Sequence, residues 1–171
     1  MKRFATFALA LAMFGAFGCD DDDNGPSQQP IVFTAQLRAS NEVPPVSNAE
    51  SNAQGTVTIT FTVPRDASGN PTGDGTWTVQ AVLSGFPDGS AIRAAHIHNG
   101  PAGQNANVFV DTGLTAANAI PLPGGAGTIN LTNPITQAQA AAVMANPAGH
   151  YFNMHTALNP GGAVRGQLTR Q

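Results

Sequence analysis

Two histidines one residue apart are the first candidates for chemistry in this sequence. His96 and His98 lie in the run AAHIHNG, and His155 lies in a later run, HYFNMHT. In a β-strand, residues i and i+2 point to the same side with Cα atoms about 6.6–7 Å apart, so both imidazoles could reach one ion. Neutral imidazole suits copper and zinc. The spacing predicts a metal site of His96, His98 and His155 if their strands are neighbours, with copper the first choice and zinc or no metal the alternatives.

A purely structural role for these histidines is the competing interpretation. Strand histidines often donate hydrogen bonds to carbonyl or carboxylate groups without any ion, and neither run contains an acidic residue. Asp111 is the nearest downstream acid, and it could orient a histidine or simply form a turn in DTG. His150 starts the second run, at a predicted helix-to-strand boundary, and could point elsewhere. The sequence leaves both interpretations open.

Alternation of apolar and polar residues predicts the elements that must position these side chains. The run GTVTITFTV, for example, places Val57, Ile59, Phe61 and Val63 on one face and four threonines on the other. Many short strands separated by Gly- and Pro-rich turns indicate an all-β protein, an antiparallel, Greek-key-like sandwich or barrel. One short helix is expected near 136–146, with Thr136 as its N-cap. The predicted strands are 31–39, 55–63, 75–83, 91–98, 107–113, 127–131, 151–157 and 163–169.

The N-terminus predicts export. A basic start precedes an uncharged apolar run that is short for a membrane-spanning helix, so residues 1–18 are expected to be a signal peptide. Residues 19–30 begin with Cys19 and four aspartates and are expected to form a solvated tether. Residues 31–171 are then expected to be one β domain.

The residues AFGC, which end at Cys19, resemble a bacterial lipobox, although Ala16 stands where that pattern favours leucine. The resemblance implies cleavage before Cys19 and attachment of lipid to it. We therefore expect an exported protein anchored in the bacterial cell envelope, at the outer membrane, on its periplasmic or surface side. A plain signal peptide with a free thiol is the alternative.

Charge and missing motifs exclude several functions. Without Lys2 and Arg3 the chain keeps five arginines, no lysine and ten acids, a formal net charge near −5. Nucleic-acid binding requires a basic footprint, so no nucleic-acid partner is expected. No nucleophile elbow, P-loop or glycosidase-like pair of acids is readable, so an enzyme is the less favoured class.

Four signatures, in order, resemble the CHRD domain, a module repeated in chordin and found singly in many bacterial exported proteins. They are Glu42-Val43-Pro44-Pro45, His96-Ile97-His98 with GPAG, Asn153-Met154-His155-Thr156, and PGG followed by Arg165-Gly166-Gln167. The resemblance covers nearly everything after the tether. It implies a secreted binding module, with an extracellular or periplasmic protein as a partner of unknown identity.

A fainter similarity concerns chemistry. The order of HIH, a later strand histidine and PGGAVRG is similar to that in copper/zinc superoxide dismutases. It implies copper at His96, His98 and His155, with Arg165 guiding an anion or serving structure. That family's bridging histidine and zinc loop have no counterpart here. The first expectation is thus a lipid-anchored extracytoplasmic binding module; the alternative is a copper or zinc protein, with a redox role or dismutase-like activity if it is an enzyme.

Overall fold

The computed structural model describes residues 29–171, and the predicted signal peptide, Cys19 and most of the tether lie outside them. The described chain contains eleven strands and one α-helix. They are β1 Ile31–Arg38, β2 Gln54–Thr62, β3 Gly75–Ser84, β4 Ser90–Ile92, β5 Ala94–Asn99, β6 Val108–Asp111, β7 Ile120–Leu122, β8 Gly127–Ile135, α1 Gln137–Ala145, β9 His150–His155, β10 Val164–Gln167 and β11 Thr169–Arg170.

Nine strands form one antiparallel sheet that curls into a nearly closed barrel. Their order is β6-β5-β9-β10-β1-β2-β3-β8, with β11 beside β1, while β4 and β7 pair separately. Strands distant in sequence therefore become neighbours, as in a Greek key: β5 pairs with β9, and β10 with β1. The predicted all-β fold with a single short helix is confirmed.

The core lies on one face of this sheet. Along β2 the alternation is as expected, since Val57, Ile59 and Phe61 are buried and the threonines between them face outward. Phe61 pairs with Trp77 of β3, and its ring centroid lies 5.0 Å from that of Phe33. Burial of these apolar side chains fixes the register, because a slip by one residue would turn every one of them outward.

Some predicted boundaries are wrong, for identifiable reasons. The segment 91–98 divides at Arg93, because β4 pairs with β7 whereas β5 joins the main sheet. β7 is not among the predicted strands because it contains Pro121, and β8 continues past its predicted end through Pro134. Both prolines lie in strands with only one partner, where a missing N–H is tolerated.

The helix begins where the sequence predicts. The Thr136 side chain accepts the N–H of Gln139, whose own side chain accepts the N–H of Thr136, a capping box that confirms Thr136 as the N-cap. Ala140 and Val143 are buried against the core, and Pro147 follows the helix. None of the helices within residues 29–171 combines the length and apolar character that crossing a bilayer requires.

Candidate metal centre

Three adjacent strands, β5, β9 and β10, carry polar residues on the face turned away from the core. Their alternate residues, including Ile97, Phe152 and Val164, fill the core and so direct the polar ones outward. The antiparallel register places His96 opposite Asn153, which in turn lies opposite Arg165. In the same way His98 lies opposite Tyr151, and Ala94 opposite His155.

The structure brings together the three histidines that the sequence selected. One ring nitrogen of each lies within 4.8 Å of the others, and Nδ1 of His96 is 3.1 Å from Nε2 of His155. Nitrogens bound to one tetrahedral ion at about 2.0–2.1 Å would lie about 3.4 Å apart. Shifts of about 1 Å in the side chains would therefore bring the set onto a single ion.

The outer nitrogens of two rings are held by backbone carbonyls. Nδ1 of His98 donates to the carbonyl of Ala106 at 2.9 Å, and Nδ1 of His155 donates to that of Pro160 at 3.0 Å. Because a neutral imidazole carries one N–H, these bonds leave the Nε2 lone pairs free and directed toward the cluster. Metal-binding histidines are commonly oriented in this way.

The third ring is oriented by an acid, and the pKa values of two of the three rings are lowered. Nε2 of His96 lies 3.5 Å from a carboxylate oxygen of Asp111, on the neighbouring strand β6, so Nδ1 faces inward. Burial lowers the pKa of His96 to about 4, and the nearby His155 acts in the same direction. Burial also lowers the pKa of His155. Metal ligation requires the neutral form of the ring, which a lowered pKa favours.

Arg165 holds the loop that provides the Ala106 carbonyl. Its guanidinium donates to the carbonyls of Gln104 at 2.5 Å and Pro101 at 3.2 Å, and to Oδ1 of Asn105 at 3.3 Å. Only 2% of Arg165 is exposed. For Arg165 the sequence left two roles open, guidance of an anion and support of the structure. These contacts are the ones expected of a structural role.

A second buried side chain, that of Glu50, holds the loop that provides the Pro160 carbonyl. Glu50 is buried, and its Oε2 accepts hydrogen bonds from the Thr156 hydroxyl at 2.7 Å and from the Asn159 amide at 2.5 Å. Each carbonyl that orients a ring therefore belongs to a loop fastened by one buried ionisable side chain.

Asn153 and Glu42 are the site residues that sequence reasoning did not select. Oδ1 of Asn153 lies 2.9 Å from Nε2 of His98 and 3.0 Å from Nε2 of His155, and the other end of the amide donates to the Glu42 carboxyl group. Burial raises the pKa of Glu42 to about 7, against the opposing attraction of Arg165 and the Asn153 hydrogen bond. Alternation along β9 puts Asn153 on the same face as His155, but only the register shows that it lies between the two rings.

Tyr151 packs between one ring of the cluster and the Arg165 guanidinium. Its ring stacks on that of His98, with centroids 4.6 Å apart and planes within 2° of parallel, while the Arg165 Cζ lies 3.4 Å from the Tyr151 centroid. His98 and Arg165 come from the strands on either side of β9, so the tyrosine lies between them. This packing fixes the plane of the His98 ring.

The fourth histidine lies apart from the cluster. His150 is buried on the opposite face of β9, where its Nδ1 donates to the carbonyl of Asn146 at 2.9 Å and its ring packs near Phe109. The tertiary structure therefore separates His150 from the three converging rings.

Comparison with known proteins agrees with the sequence signatures. The family model of the CHRD domain matches residues 33–168, which run from within β1 to just past β10 and include every residue of the cluster. No curated protein matches the chain. Since this match covers most of the sequence, the chain belongs to the CHRD domain family.

Proposed function

We propose that this protein binds one transition-metal ion through His96, His98 and His155, with copper the first choice and zinc the alternative. The observation that carries the proposal is the arrangement of lone pairs. Three ring nitrogens face one point while their outer nitrogens are occupied by two carbonyls and a carboxylate. A group of hydrogen-bond acceptors without a donor is unfavourable when buried, and a bound cation removes that cost.

A ring N–H pointing into the cluster would satisfy some of these lone pairs without an ion, but it would leave another contact unfavourable. If Nδ1 of His96 carried the proton and donated to His155, the unprotonated Nε2 of His96 would face the carboxylate of Asp111. A reversed Asn153 amide, with its NH₂ group donating to both His98 and His155, is the arrangement that would satisfy those two rings without an ion. The reversed amide predicts a protein that binds no metal, so a metal titration separates this arrangement from the proposed metal site.

The test is titration of the purified, chelator-treated protein with Cu²⁺ and Zn²⁺ by calorimetry, together with the metal content of protein isolated from its native compartment. We expect one ion per chain, and loss of that binding in the His96→Ala/His98→Ala variant. His150→Gln is the matched control, because it changes a histidine outside the cluster, and it should keep the ion. Absence of binding by the wild-type protein, or equal binding by the double variant, would refute the proposal.

We further propose that the domain acts outside the cytoplasm on a lipid anchor at Cys19. The support is the order of basic start, apolar run, small residues before cysteine and acidic tether. The tether would then keep the domain near the membrane as an anchored binding module. Mass spectrometry of the mature protein should find an acylated N-terminal Cys19, and an unmodified N-terminus at another residue would contradict the anchor.

A further inference from the structure

A fourth atom that is able to bind a metal lies beside two of the three clustered histidines. Oδ1 of Asn153 is 2.9 Å from Nε2 of His98 and 3.0 Å from Nε2 of His155. Ligand atoms that share one tetrahedral ion are separated by about 3.3–3.5 Å when the bonds are about 2.0–2.2 Å long. The amide oxygen is therefore a few tenths of an ångström closer to these two nitrogens than a ligand would be, and a small outward shift would give it the spacing of a ligand.

A hydrogen bond on the far side of Asn153 favours one orientation of its amide. The NH₂ group donates to the buried carboxyl group of Glu42, which directs the oxygen toward the histidines. Asn153 is only 2% exposed and Glu42 only 5%, so water does not compete for either contact. Glu42 in turn lies against Gly162, where a side chain would collide with its carboxyl group. Asn153 is thus held from behind by Glu42, much as the two rings are held by their carbonyls.

We infer that Asn153 is the fourth protein ligand and closes the coordination sphere of the proposed metal site. This inference rests on the proposed function. Sites with four protein ligands are typical of structural or storage roles, whereas catalytic sites keep one position for water or substrate. A neutral amide oxygen beside three imidazoles also favours a divalent ion over Cu⁺, which prefers sulfur ligands. The site therefore holds a divalent ion for storage or stability and does not turn over a substrate at that ion.

The test asks whether a small anion can reach the metal. Co²⁺ is the probe, because its visible absorption reports the number and kind of its ligands, and azide is the added anion. In the wild-type protein loaded with Co²⁺ we expect no spectral change on addition of azide. In Asn153→Ala a position becomes open, so azide should bind and change the spectrum, and Co²⁺ affinity should fall at least tenfold.

Asn130→Ala is the matched control, because Asn130 is an exposed strand asparagine on β8. It should behave as the wild-type protein does. If Asn153→Ala does not fold, as judged by circular dichroism, Asn153→Asp replaces it. A carboxylate ligand should then alter the Co²⁺ spectrum and bind Co²⁺ more tightly, and an unchanged spectrum and affinity would overturn the inference.

The possible failures can be told apart. Azide binding to the wild-type Co²⁺ protein, or an Asn153→Ala variant with wild-type spectrum and affinity, would overturn the closed site while leaving metal binding intact. A wild-type protein that takes up no Co²⁺, Cu²⁺ or Zn²⁺ would refute the proposed function itself, and the closed site with it.

Discussion

Replacement of Glu42 by glutamine should make the stability of the metal-free protein depend differently on pH. The Glu42 carboxyl group is buried, and its Oε1 atom has no hydrogen-bond partner. Burial raises its pKa from 4.5 to about 7. Glutamine has nearly the same shape and is neutral at every pH, so Glu42→Gln removes the ionisation and little else.

The expected magnitude follows from linkage. Between pH 4.5 and about 7 the folded protein keeps a proton on Glu42 that the unfolded chain has lost, so wild-type stability falls as the pH rises through this range. Each unit of pKa difference is worth about 1.4 kcal/mol, which gives about 3 kcal/mol over the whole range. The variant does not lose this stability. Its unfolding free energy relative to the wild type should therefore rise by about 3 kcal/mol from pH 4 to pH 8.5.

The assay is urea denaturation of both proteins at several pH values, with a chelator present. His96 contributes with the opposite sign: its pKa of about 4 means that the unfolded chain binds the extra proton between pH 4 and 6.5, so stability falls as the pH falls. That contribution is common to both proteins and cancels in their difference. Asp66→Asn is the control; hydrogen bonds from Asn70 lower the pKa of Asp66, so its difference from the wild type should be constant above pH 5. A Glu42→Gln difference that is also constant would refute the argument that burial keeps Glu42 protonated.

Three further predictions concern the support of the site and its protons. Gly162→Ala should cost about 2–3 kcal/mol of unfolding free energy in urea, because φ is +140° and the new Cβ would lie 2.5–2.6 Å from the Glu42 carboxyl atoms; Gly161→Ala, whose Cβ meets nothing within 4 Å, should cost far less. Arg165→Met should cost about 3–5 kcal/mol and speed proteolysis within residues 99–107, and an unchanged cleavage rate would show that the guanidinium does not hold that loop. Three imidazoles with ordinary pKa values near 6.5 would lose about a thousandfold in metal affinity at pH 5.5 through proton competition. Because the pKa of His96 is about 4, the loss measured by calorimetry between pH 7.5 and 5.5 should be at least tenfold smaller, and a full thousandfold loss would contradict that pKa.

Local patterns predicted the fold class and the three histidines. Alternation along β2 and β3 identified which residues enter the core, and a capping residue identified the start of α1, because these signals depend on near neighbours in the chain. The strand containing Pro121 and the end of β8 that contains Pro134 escaped prediction, since a strand with proline is acceptable only at an edge, and edges are defined by pairing.

The sequence by itself determined that His96 and His98 share one side of a strand, that Asn153 and His155 share one side of another, and that an antiparallel sandwich or barrel contains both. Only the tertiary structure decided that β5 and β9 are neighbours in the register that sets His96 opposite Asn153, and that the loops after these strands fold back to supply the carbonyls of Ala106 and Pro160. The physical reason is that side-chain alternation is a property of one strand, whereas pairing and loop closure depend on burial of the whole core.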